Sequence, residues 1–265
     1  MINIFYYLII FFIGLCIGSF LNCVIWRLFT KENFLISRSY CPKCRQILSW
    51  QDLIPVLSFI ILKGKCRYCR EKISYQYPLL EIATGLLFVL IFYFQTCFFN
   101  EFCFQNIVNL LYLWIISCFL IIIFTYDLKH FIIPNQVIYP AIVIAFFYQL
   151  FNLWNFKPLL FPVFSAVFAS AFFFSIVLIS QGKWMGMGDV KLAFLMGLLL
   201  GFPQILLALF LAFLIGAIIG LSLIMLKKKT LKSEVPFGPF LIIGTFIAMF
   251  WGEKIINLYL KYVFI

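Results

Sequence analysis

Histidine is almost missing from this chain of 265 residues, with His130 standing alone. A mechanism that depends on histidine, such as one activating a serine or thiol nucleophile, therefore has little to work with. His130 follows Asp127 by three residues and reads as an interfacial side chain. Charge is scarce too: nine Asp and Glu stand against twenty Lys and Arg, and charged residues make up only 11%. With 65% hydrophobic residues and a mean hydropathy of +1.12, the apolar surface far exceeds what a soluble core of this length encloses. A soluble globular protein is excluded, and an all-α polytopic membrane protein is expected. Also lacking are a glycine-rich nucleotide loop, a low-complexity tract and, outside the cysteine loop, any internal repeat.

The net charge of +11 invites a nucleic-acid partner until the basic residues are placed along the chain. Half fall in one segment, as Arg27, Lys31, Arg38, Lys43, Arg45, Lys63, Lys65, Arg67, Arg70 and Lys72. A basic loop beside apolar runs marks the cytoplasmic side of a membrane, so lipid is the expected partner and nucleic acid is not. Residues 1–7 hold no basic residue, unlike a secretory signal, and Arg27 follows the first apolar run. Residues 1–26 thus read as a signal-anchor-like first helix with its N-terminus outside.

Residues 27–77 form the only sizeable polar region and carry Cys41-Pro42-Lys43-Cys44 and Cys66-Arg67-Tyr68-Cys69. Two CxxC pairs separated by 21 residues present four thiolates at the spacing of a structural zinc ribbon, so Cys41, Cys44, Cys66 and Cys69 are the candidate ligands. A disulfide pair or a redox CxxC is the competing reading, but a cytoplasmic loop is reducing and no βαβ pattern accompanies it. Four sulfurs would close the coordination shell, making the metal scaffolding rather than a reaction centre. Cys97 and Cys103 flank an outer connector and are within reach of a disulfide.

Residues 78–265 carry the remaining apolar runs: 79–99, 107–126, a run from Pro134 to about Trp154, 159–179, 190–201, 203–226, and a last run from about Pro236. Counted from the basic loop they give eight spans with both termini outside, and Lys227, Lys228, Lys229 and Lys232 inside. The run 190–201 is short for a span; it either forms a shallow hairpin with 203–226 or extends backwards through the preceding glycines. This count places Asp127, at the end of one span, and Asp189, at the start of another, at the same face.

Gly186-Met187-Gly188-Asp189-Val190-Lys191 sets an acid and a base between apolar segments. A carboxylate at a span's edge is a functional candidate, although Asp189 also suits the N-cap of the run that follows. Gly186 and Gly188 let another backbone approach it, as a site gripping an extended peptide requires. Glu81, near the cytoplasmic end of its run, is either a site residue or a first-turn acid favoured by the helix dipole. Two aspartates at one face without a histidine suggest hydrolysis by water, one carboxylate activating it while a protonated partner donates to the carbonyl oxygen. The alternatives are that Asp127 pairs with Lys129 or Lys191, or that the acids carry ions or protons in a zinc-stabilised transporter or channel.

Taken in order, Gly18-Ser19-Phe20-Leu21-Asn22, both CxxC pairs, Tyr77-Pro78-Leu79-Leu80-Glu81, Asp127 with Ile133-Pro134, residues 186–191, and Pro236-Phe237-Gly238-Pro239-Phe240 resemble the type IV prepilin peptidases, GxGD-type membrane aspartyl proteases. The resemblance spans nearly the whole chain. It implies that Asp127 and Asp189 are the catalytic aspartates, that Gly186, Gly188, Lys191 and Glu81 support the site, and that the four cysteines form a cytoplasmic zinc-binding loop. It further implies a multi-pass protein of the bacterial inner membrane that cuts the basic leader of prepilins or pseudopilins after a glycine. Many members also N-methylate the new terminus with S-adenosylmethionine. Asn135 departs from the pattern, in which Asp usually follows the proline.

Overall fold

The computed structural model describes residues 4–32, 38–98, 104–153, 160–226 and 235–263. Cys103, the Cys97 side chain and the lysines between 227 and 232 lie outside the described residues. Those described form no named strand, and their helices divide into two compact units, Met1–Ile122 and Ile123–Ile265. The boundary falls inside one continuous helix, α4 (Phe104–His130).

In the first unit, α1 (Ile4–Thr30) packs on α3 (Gln76–Phe98). Small residues let the two backbones approach, as in membrane helix pairs generally: a Cβ on Gly14 would lie 2.6 Å from the Cα of Gly85. Further along α3 the contact turns aromatic, with Phe88 fully buried and stacked on Trp114 of α4 at 5.0 Å, and the Trp114 indole donates to the Phe88 carbonyl. Between α1 and α3 the polar segment folds as two cysteine knuckles around a 3-10 turn at Trp50–Leu53 and the short α2 (Leu57–Ile61).

The second unit holds the end of α4, then α5 (Asn135–Leu153), α6 (Leu160–Ser180), α7 (Met187–Leu200), α8 (Gln204–Met225) and α9 (Gly238–Val263). Its tightest pairs are α6 with α7 and α8 with α9, where a Cβ on Gly197 would come 2.3 Å from Ala166 Cα and one on Gly244 2.4 Å from the Ala208 carbonyl. Gln149 of α5 donates to the Leu198 carbonyl in the last turn of α7, satisfying an acceptor that no helical N–H reaches. Phe210, Leu214, Ile218 and Leu221 of α8 are exposed, a surface that suits lipid rather than water.

Among the described residues six helices, α1, α3, α4, α6, α8 and α9, are long and apolar enough to cross a bilayer, so the expected eight spans are not reached by length there. The helix α5 belongs to the shorter class, and the 14 residues of α7 extend only about 21 Å at ~1.5 Å per residue, against a core of about 30 Å. Of the two alternatives for this run, backward extension occurs in part, since α7 starts at Met187 and takes in Gly188 but not Gly186, its N-cap. It needs no full span because Leu192, Ala193, Leu195, Met196 and Leu198 are buried by protein.

Candidate active site and metal centre

Cys41, Cys44, Cys66 and Cys69 converge, all four sulfurs lying within 4.8 Å of one another and Cys41 Sγ 3.9 Å from Cys69 Sγ. Tetrahedral zinc with Zn–S bonds of ~2.3 Å sets sulfurs about 3.8 Å apart, so the cluster has the size and donor set for that ion. Its two halves repeat with a shift of 25 residues. Cys41 N–H donates to the Gln46 carbonyl and Arg45 N–H to the Cys41 carbonyl, as Cys66 does to Glu71 and Arg70 to Cys66. Arg45 and Arg70 both take positive φ, at 55° and 57°, and the bridges Tyr40–Ile47 and Lys65–Lys72 close the two turns. Burial alone would raise the Cys41 thiol, but hydrogen bonds from the Cys44 and Lys43 backbone and from neighbouring cysteines outweigh it and bring it down to about 7. The Glu71 backbone would lower the Cys69 thiol, but desolvation and contacts with the other three sulfurs outweigh it and push it up to about 11, so the cluster holds back part of its protons and a metal would have to displace them.

Asp52, in the 3-10 turn, ties the second knuckle to its surroundings. Its carboxylate accepts Arg67 Nε at 2.7 Å, Ser49 Oγ at 2.8 Å and Ser49 N–H at 3.1 Å. Glu81 also serves this region: it lies past the first turn of α3, is buried, and accepts the Val56 N–H at 2.8 Å.

The two aspartates come together in the second unit, on the wall of a cavity of about 430 Å³, close enough to interact electrostatically. Asp127 lies in the last turn of α4, the end at which a helix dipole disfavours an acid. Phe131 at φ 57° closes that end by donating to the Asp127 carbonyl at 2.9 Å. The buried Asp127 carboxylate accepts instead the Gly238 N–H at the start of α9. Asp189 is the third residue of α7 and Gly186 is the N-cap, so Asp189 is not the cap, the alternative that the sequence left open, but an acid in the first turn, where the helix dipole favours it. Three helix starts, at Asn135, Met187 and Gly238, border this cavity, and their N-terminal ends favour negative charge there.

The glycines differ in what they do. A Cβ on Gly188 would press on Ile133 at 3.0 Å, whereas one on Gly186 would meet nothing nearer than 3.9 Å, so the chain is open beside Asp189. Among the described residues neither Lys129 nor Lys191 forms an ion pair with Asp127. Lys191 donates to Asn135 Oδ1 at 2.7 Å. His130 packs against Tyr126 and is absent from the cavity wall described. Sequence reasoning missed Gly238 as a site residue, although the segment from Pro236 to Phe240 signalled it. An aromatic stack of Phe173, Phe213 and Phe237 holds that segment in place.

Fold and cavity together define a polytopic helical membrane protein with two aspartates on one cavity wall. The chain belongs to the type IV leader peptidase family. That family's model matches residues 114–221, and the bacterial peptidase A24 N-terminal domain matches residues 12–95. The chain is similar to a prepilin leader peptidase/N-methyltransferase of Aeromonas salmonicida (strain A449), with 31% identity over 97% of this chain and 94% of the relative. Proteins of the same description from Legionella pneumophila (30%, covering 97% and 96%) and Bacillus subtilis (strain 168) (30%, covering 96% and 97%) are also similar. No solved structure matches.

Proposed function

We propose that this protein is a membrane aspartyl endopeptidase that removes the leader of type IV prepilins or pseudopilins at the cytoplasmic face of the bacterial inner membrane. The observation that carries the reading is that Asp127 and Asp189 lie on one cavity wall, close enough to interact electrostatically. The ionised member takes a proton from water, whose oxygen attacks the peptide carbonyl, while the protonated member gives its proton to the carbonyl oxygen. Collapse of the intermediate then breaks the C–N bond as a carboxyl proton passes to the leaving amine. The open side of Gly186 provides room for an extended peptide.

Zinc held by Cys41, Cys44, Cys66 and Cys69 is part of the proposal, as a structural ion, because four thiolates leave no position for water. So is N-methylation of the new terminus, which rests on the relatives' shared name and on the family resemblance. S-adenosylmethionine would supply the methyl group, and no residue here is assigned to hold it.

Incubating the purified protein with a synthetic prepilin tests the reading by mass spectrometry, with and without S-adenosylmethionine. A product shortened by its leader is expected, one methyl heavier when the donor is present. Asp127→Asn and Asp189→Asn should each lose about 10²–10⁴-fold in cleavage at normal abundance. Near-normal cleavage by either variant would remove that residue from the pair.

A further inference from the structure

The cysteine loop of the first unit carries an apolar face that none of the described residues covers. Leu57, Ile60 and Ile61 stand at i, i+3 and i+4 of the short α2 and so share one side of it, exposed to 52%, 62% and 72%. Phe59 faces inward. Its ring lies 5.5 Å from that of Tyr75 and beneath Gly64, where a Cβ would meet it at 3.1 Å. Two lysines follow at once. The Lys63 N–H donates to the Ile60 carbonyl and the Gly64 N–H to the Phe59 carbonyl, which closes the helix and sets Lys63 and Lys65 just past its last turn. Among the described residues neither lysine forms an ion pair.

Two ties fix the height of this face along α3. Val56, the N-cap of α2, donates to the Glu81 carboxylate at 2.8 Å, and Phe59 meets Tyr75. Glu81 is the sixth residue of α3, about 7.5 Å along it at ~1.5 Å per residue, and Tyr75 immediately precedes the helix. The stretch of α3 apolar enough to cross a bilayer begins at Gln76, with the helix itself. The helix α2 therefore lies beside the first turns of a spanning helix rather than above its end. Headgroups and the ends of acyl chains meet at that depth, and an apolar face flanked by lysines is stable there.

We propose that α2 is an interfacial anchor: Leu57, Ile60 and Ile61 enter the boundary between headgroups and acyl chains, and Lys63 and Lys65 take anionic lipid headgroups. Position and charge both select this occupant. The loop is held at its two ends by α1 and α3, each long and apolar enough to span, so the bilayer surface is already within reach of α2. The lysines complement an anionic leaflet. Trp50 of the adjoining 3-10 turn and Tyr75 are exposed as well, and these are the residue types that gather at headgroup level. The anchor keeps the cysteine cluster against the membrane, and it does not depend on the reaction proposed above.

The test uses the full-length protein in nanodiscs of phosphatidylcholine and phosphatidylglycerol in equal parts, with p-benzoylphenylalanine in place of Leu57, Phe59, Ile60 or Ile61 in turn. After illumination, mass spectrometry should find lipid adducts from the three outer positions and essentially none from position 59. Phosphatidylglycerol should exceed phosphatidylcholine in those adducts by about fivefold, the weight of one lysine close to an anionic surface. Lys63→Gln combined with Lys65→Gln should bring that ratio to about one, as should high salt. In the unaltered protein, trypsin should cut after Lys63 and Lys65, relative to Lys43, more slowly in these discs than in phosphatidylcholine alone. That measurement decides if the labelled variants fail to accumulate. Equal lipid adducts from position 59 and the outer positions, or none from any, overturn the anchor. So do adducts to a second copy of the chain or to an added prepilin peptide in place of lipid, which would give the face to a protein. A lipid ratio of one with both lysines present excludes anionic headgroups as their partners and overturns the proposal as stated.

Discussion

The carboxylate of Asp127 lies so close to Gly238 that a Cβ there would stand 2.6 Å from Oδ2. Real Cβ atoms do not approach an oxygen this closely, so the glycine is what lets the end of α4 face the start of α9. Gly238→Ala should therefore displace the carboxylate. A shift of about 1 Å at a reacting group costs about 10²-fold in rate, which a prepilin cleavage assay would register while membrane abundance stays normal. Full activity in Gly238→Ala would mean that Asp127 need not sit where it does.

Metal content gives an independent check on the first unit. One zinc per chain is expected after purification under reducing conditions, and Cys41→Ser combined with Cys44→Ser should abolish it. Because four thiolates would close the metal's coordination shell, its loss should lower thermal stability and protease resistance more than cleavage per folded molecule. A variant free of zinc with unchanged melting and proteolysis would refute a structural role.

The apolar helices and the convergence of the four cysteines were legible because each rests on local composition, long apolar runs and CxxC spacing, whereas the count of eight spans was not reached. The cap at Gly186 was not legible, since whether Asp189 caps α7 or sits at its third position depends on where the helix begins, and Met187 and Gly188 carry no start signal. The partner of Lys191 was equally hidden, because Asn135 lies 56 residues away and meets it only through the packing of α5 on α7. The shortness of α7 was visible, but its meaning required knowing that neighbouring helices rather than lipid enclose it. The paired CxxC motifs show the 25-residue repeat of the knuckles only in part, since the rest of it is carried by backbone hydrogen bonds.

Asp52 predicts a pH dependence confined to the cysteine loop. Burial would raise its carboxyl, but hydrogen bonds from Ser49 and Arg67 and the Arg67 charge outweigh it and hold it below the usual aspartate value of about 3.9. A carboxyl lowered by folding stabilises the fold fully above that ordinary value, and the contribution is lost as pH falls through the lower folded value. Hydrogen exchange at the Ser49 amide, which donates to Asp52, reads this locally. Protection should persist down to about pH 4, decline below it, and be reduced at all pH values in Asp52→Ala. A flat profile in the unaltered protein would exclude the carboxylate as the cause.

Glu81 holds the loop where its backbone is least at ease. Val56 takes φ 61° and ψ −48°, with the Leu57 N–H donating to the Pro55 carbonyl at 2.6 Å, a γ-turn of the rare positive-φ hand. A β-branched residue rarely adopts that conformation, so the surroundings must enforce it. The Glu81 carboxylate contributes by accepting the Val56 N–H at 2.8 Å from inside the first unit. Removing that acceptor leaves a partly buried donor unsatisfied, at a cost of about 1–3 kcal/mol. Glu81→Ala should therefore destabilise the loop by about that amount, seen as faster zinc release to a chelator. Glu81→Gln keeps a carbonyl oxygen in the same place and should restore most of the retention. Val56→Gly, which relieves the strain at its source, should slow release in the Glu81→Ala background. If Glu81→Gln instead released zinc as fast as Glu81→Ala, the carboxylate's charge rather than its hydrogen bond to Val56 would be what holds the loop.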